Sequence, residues 1–130
     1  MTKTNLLDKY PVLSLEISKD ETTYANVDEI ISYFKTKIDT HPVAAYIAIF
    51  DHFSHTQSLE DSTISEDIKD AKNIIFCFGK QIPNPKILAA RPRSIGVTET
   101  DGGFHIAFME APNEQLSLVM QEWVKALKNK

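Results

Sequence analysis

The chain has 130 residues, of which 42% are hydrophobic and 25% charged, with 18 acidic against 14 basic side chains and a net charge of −4. That length holds one domain, residues 1–130, with a core of its own. The acidic balance argues against non-specific binding to nucleic acid or to an anionic membrane, both of which require a basic face.

Residues 1–9 read as a loose lead-in. They reach Asp8 and Lys9 before any long apolar core forms, which is not the pattern of a signal peptide. No apolar run approaches the roughly 20 residues that span a bilayer. The single cysteine, Cys77, excludes an internal disulfide and fits a reducing compartment. The expected location is the cytoplasm, with no membrane partner.

Tyr10 to Ser18 alternates, with Leu13, Leu15 and Ile17 on one side, and reads as a half-buried strand. Pro11 gives a ladder no N–H, so an edge or a first position is expected. Asn26 suits a helix N-cap, and Asp28 and Glu29 suit the positive end of the helix dipole. Val27, Ile30, Ile31, Phe34 and Ile38 then form one apolar stripe, and Pro42 stops the helix near Thr40.

Val43 to Phe50 is apolar on both faces and reads as a central strand. Residues 56–72 turn polar and acidic and are expected to be mobile, with a short helix from the Thr63/Glu66 capping-box spacing.

The fold is organised by Asn73 to Asn113. It carries three apolar runs, Ile74–Phe78, Ile95–Thr98 and Phe104–Met109, separated by turn chemistry. Pro83 and Pro85 break the chain after the first run. Lys86–Ala90 reads as one helical turn. Asp101-Gly102-Gly103 suits a tight hairpin between the second and third runs. Asn113 caps a last helix whose apolar face is Leu116, Val119, Met120, Trp123 and Leu127.

The order is strand, helix, four strands, helix. The expected class is α+β, with a mainly antiparallel sheet and two amphipathic helices on one face. The other face carries Ile75 and Cys77 and is expected to be covered, with a homodimer as the inferred cover.

Several of these motifs together resemble the bacterial domain-of-unknown-function family 302, in the manner of a distant relative or sister family of uncharacterised proteins. Asp51-His52 follows the second strand, Phe78-Gly79 ends the next, and Asn84-Pro85 comes after it. Asp101-Gly102-Gly103 makes the turn and Ala111-Pro112 the exit. Lys80 to Pro83 intervene before the Asn-Pro, and Arg93-Ser94 stands where that family has Leu-Pro. The resemblance implies a strand–helix–four-strand–helix fold similar to one repeat of the TATA-binding protein, a homodimer, and no established activity. It transfers no DNA binding.

Chemistry-bearing side chains gather at strand ends. Asp51, His52, His55, Gly79, Arg91 and Arg93 form the expected ligand-binding corner, because polar groups on a rigid sheet end are where sites tend to be built. Arg91 and Arg93, with Lys80 and Lys86 near them in sequence, suit a phosphate or carboxylate; a solvated basic loop is the plainer reading. The glycines are turn glycines, not a phosphate loop.

No cofactor is expected. The alternative is a transition metal such as zinc on His52, His55 and His105, with Cys77 as a possible fourth ligand. Cys77 as a nucleophile or redox-sensing thiol is weighed against an inert core cysteine, which mid-strand apolar neighbours favour. The reading is a non-catalytic homodimeric module that binds a small molecule or a protein. The competing reading is a metal-binding protein or metal-dependent enzyme.

Overall fold

The computed structural model describes residues 1–130 as one six-stranded sheet with its two long helices on one face. The strands are β1 (Thr2–Leu6), β2 (Tyr10–Ser18), β3 (Ala45–Phe50), β4 (Ile68–Cys77), β5 (Arg93–Thr100) and β6 (Gly103–Met109). The helices are α1 (Val27–Thr40), α2 (His52–Gln57) and α3 (Glu114–Lys125). Spatial order is β1-β2-β6-β5-β4-β3, and every neighbouring pair is antiparallel. The α+β class and antiparallel sheet expected from the sequence are therefore present. No helix is long and apolar enough to cross a membrane.

The period-2 alternation decides which face is inside. Leu13, Leu15 and Ile17 of β2 lie directly opposite Phe108, Ile106 and Phe104 of β6. Val97 pairs with Ile106, and Ile74 with Ile95, so the same face runs across four strands. Onto it α1 lays Val27, Ile30, Ile31, Phe34 and Ile38, all buried. From α3 come Met120, Trp123 and Val124, also buried. Full burial of each large apolar side chain stabilises by about 1.5–3 kcal/mol before the entropy of ordering it is subtracted.

Capping follows the sequence. The Asn26 side chain accepts from the Glu29 backbone N–H, and the Asn113 side chain from that of Gln115. Tyr33 ties the two long helices together. Its hydroxyl donates to the Trp123 carbonyl at 2.6 Å, an oxygen in the last turn of α3.

Four local expectations are corrected. Residues 2–6 are a strand, not a loose lead-in: β1 pairs with β2 through a tight turn, in which Leu7 and Asp8 have φ of 53° and 57°. β2 is consequently interior, and Pro11 is accommodated opposite Asn5. β3 is an edge strand, not a central one. No helix forms at Thr63–Ile68. The helical turn falls at His52–Gln57 instead, where the Asp51 side chain accepts from the Ser54 N–H and caps it, and Ile68 begins β4.

In the hairpin between β5 and β6, Gly103 has φ of 157°. A Cβ there would lie 2.0 Å from the Ile17 carbonyl oxygen. β2 passes so close that only glycine fits.

Candidate functional site

The sheet end formed by Cys77, Gly79 and Arg93 opens into a cleft of about 420 Å³. This lies in the size range of small-molecule sites. Three pieces of chain build it. The end of β4 supplies Cys77 and Phe78. The 80–93 connection supplies Lys80, Arg91 and Arg93. The turn before α3 supplies Ala111 and Pro112, with Leu116 from the first turn of the helix. Asn84 shapes the connection: its side chain accepts from the Ile87 N–H and starts a 3₁₀ turn over Pro85–Ala90. This is the helical turn expected near Lys86. A cis Arg91–Pro92 bond then separates the two arginines.

Charge in the cleft is one-sided. Lys80, Arg91 and Arg93 line it, and no aspartate or glutamate does. In a chain of net charge −4 this concentrates positive potential against an otherwise acidic protein.

Arg93 is the best-positioned cation. Its Nη1 donates to the Ala90 carbonyl at 3.1 Å, and its Nη2 to the Met109 carbonyl at 2.6 Å and the Glu110 carbonyl at 3.4 Å. The Nε is buried and has no partner. Burial pulls the guanidinium below its usual pKa, and the neighbouring Cys77 opposes that shift. The guanidinium thus staples the 80–93 connection to the end of β6 at the lining of the cleft.

His41 forms part of the opposite wall. Its Nδ1 accepts from the backbone N–H groups of Val43 at 3.1 Å and Ala44 at 3.2 Å. A neutral ring that accepts at Nδ1 carries its proton on Nε2. The ring is held edge-on to Phe78 and Trp123, with centroids 5.3 and 6.0 Å away. The wall therefore offers one N–H donor on a rigid aromatic support. Beside it Gly79 adopts φ of 51°, and a Cβ there would stand 3.2 Å from Cys77 Sγ. Glycine leaves the thiol uncrowded. Cys77 itself is half-buried, not sealed in the core.

The corner expected from the sequence is divided in two. Gly79, Arg91 and Arg93 come together in the cleft. Asp51, His52 and His55 lie beyond the far end of β3, since Ala45 pairs with Cys77 while Phe50 pairs with Asn73. Five residues of strand separate the two groups by roughly 17 Å. His52 Nδ1 lies 3.4 Å from Asn73 Oδ1, and both His52 and His55 rest on the Phe50 ring with centroids 5.2 and 5.4 Å away. Asp51 accepts from Ser54 and has its pKa lowered chiefly by that backbone hydrogen bond. Its position is accounted for by capping α2.

His105 does not join His52 and His55. It sits in β6 opposite Glu16 and Thr98, three strands from β3 and so roughly 14 Å across the sheet. The three-imidazole set is not assembled. No group of three or more His, Cys, Asp or Glu side chains is placed to hold a metal ion.

His41 is the site residue that sequence reasoning passed over. A histidine between a helix end and a proline has no local signature, and only the arrival of Phe78 and Trp123 makes it part of a wall. Lys80 and Cys77 carried signals, as a basic neighbour and as the lone thiol, but the sequence did not bring them to one place.

No curated protein matches the chain. The family model that matches is not that of family 302. It is that of DUF6858, described as a family of unknown function, and it covers residues 1–129, so the chain belongs to that family.

Proposed function

We propose that this protein is a binding module for a small organic anion, a carboxylate or phosphate ester with an apolar body, held in the Cys77–Arg93 cleft. One observation carries this reading: the cleft is lined by three cations and no carboxylate, and the rest of its wall includes Val43, Phe78, Ile87 and Leu116. Guanidinium forks suit planar or tetrahedral oxyanions, and the apolar wall suits a hydrocarbon or aromatic remainder. The His41 N–H is a neutral donor on the opposite side.

The order β2-β6-β5-β4-β3, with both long helices on one face, supports the likeness to one repeat of the TATA-binding protein. It supports no DNA reading. The face opposite α1 and α3 carries Glu16 and His105 among small and hydroxyl side chains, with Val12, Met109 and Ile75 towards one end, and β2, β5 and β6 place no lysine or arginine on it.

Phenyl phosphate and benzoate are suitable probes. Titrated into ¹⁵N-labelled protein, they are expected to shift amides of Phe78–Lys80 and Arg91–Arg93 and to leave Phe50–His55 still. The double substitution Lys80→Ala/Arg91→Ala should abolish the shifts without loss of fold. Shifts centred on His52 and His55, or none at millimolar probe, would overturn the proposal.

A further inference from the structure

The two edges of the sheet are not alike. β1 is short and polar, and carries Lys3 as the second of its five residues, with Asp8 and Lys9 just beyond. Charge on an edge strand discourages pairing with another chain. β3 has no such charge, and its one irregularity is the register shift between Tyr46 and Ala48. From Ala44 to Phe50 there is no charged residue and no proline. Ile47 is 51% exposed, and Ile49 and Phe50 are each 41% exposed. Outside its ladder with β4, no backbone hydrogen bond of the chain involves residues 45–50. The register shift between Tyr46 and Ala48 leaves Ile47 without a partner on β4, and half exposed.

The face opposite α1 and α3 is mixed. Two of its rows, Ser14–Ala107–Gly96–Asn73 and Glu16–His105–Thr98–Ala71, consist of side chains that tolerate water, and its apolar residues Val12, Met109 and Ile75 lie towards one end.

We infer that β3 is a homodimer interface, at which two copies pair β3 with β3 in antiparallel fashion and join their sheets into one of twelve strands. A strand edge is complementary to itself under a twofold rotation, because each donor meets the equivalent acceptor. The surroundings are also self-complementary. α1 runs beside β3, with Lys35 Nζ 4.7 Å from the Tyr46 ring and 2.8 Å from Asp39. Each border therefore presents both signs one helical turn apart, and an antiparallel copy brings Lys35 towards Asp39 of the other.

Native mass spectrometry and light scattering of the full chain test this. The unaltered protein should be a dimer. Ile47→Lys should be a monomer with an unchanged far-ultraviolet spectrum, since that side chain is already half exposed. Leu6→Lys, on the β1 edge, should remain a dimer. Amides of Ile47–Phe50 should exchange slowly in the dimer and lose that protection in Ile47→Lys. A monomeric unaltered protein would overturn the proposal, as would a dimer that survives Ile47→Lys and dissociates with Leu6→Lys. If Ile47→Lys fails to fold, Ile49→Lys and the exchange pattern of the unaltered protein decide the matter.

Discussion

Replacing Arg93 by lysine separates two roles that one side chain performs. The guanidinium reaches three carbonyls on two pieces of chain, those of Ala90, Met109 and Glu110. An ammonium keeps the charge but has no fork, so it serves one side at a time. The substitution therefore leaves at least one carbonyl unserved. A hydrogen bond from a charged donor contributes about 1.5–3 kcal/mol, and the half-buried setting places the combined loss near 2 kcal/mol. Unfolding entropy of about 2.1 cal/mol/K per residue converts this into a fall in Tm of about 7 °C. Differential scanning fluorimetry reads the shift directly. The same variant titrated with phenyl phosphate should bind more weakly but at the same amides, because Lys80 and Arg91 remain. An Arg93→Lys protein as stable as the original would refute the staple. Equal probe affinity in the two proteins would remove the fork from the site.

Three further outcomes follow from the geometry. Gly103→Ala places a Cβ against the Ile17 carbonyl oxygen at 2.0 Å, so β2 must move; a loss of at least about 3 kcal/mol is expected in urea unfolding, and full stability would refute the close approach. Tyr33 is raised to about 12, first by burial and then by Tyr24, so the folded state keeps a proton that the unfolded state releases near the ordinary value of 10. The stability this gives is complete below about pH 10 and is lost as pH rises towards 12; Tyr33→Phe should flatten that alkaline limb, costing about 1 kcal/mol at neutral pH, and an unchanged limb would sink the assignment. Leu7, 75% exposed with φ of 53°, sits where asparagine is favoured, so Leu7→Asn should raise Tm by roughly 2–4 °C, and a lower Tm would count against strain in that turn.

The parts of the fold legible in the sequence were those fixed by local periodicity and caps. The α1 stripe, the Asn26 and Asn113 caps and the alternating residues of β2 all stand where the residues placed them, because each is decided within one or two turns of chain. Edge and centre were not legible. Val43–Phe50 reads as a buried strand by composition, yet β3 ends at the rim because the other strands pair among themselves and none remains to flank it. β1 is illegible for the opposite reason. Thr2–Leu6 has no apolar face, and its order comes from the ladder to β2, not from burial.

The same distinction explains the site. Asp51, His52 and His55 group with Gly79 and Arg93 in the sequence because both sets lie at strand ends, but sequence does not say which end. An antiparallel neighbour reverses direction, so the exit of β3 meets the interior of β4 and the exit of β4 meets the entry of β3. Polar residues that follow two consecutive antiparallel strands therefore fall on opposite rims. His41 and Val43, which precede β3, are the ones carried to Cys77, and Arg93 arrives because β5 starts where β4 ends. For a sheet of this kind, the residues before one strand should be grouped with those after its neighbour. By that rule the polar cluster after β4 belongs with His41 and Arg93, and the histidines of α2 stand apart from it.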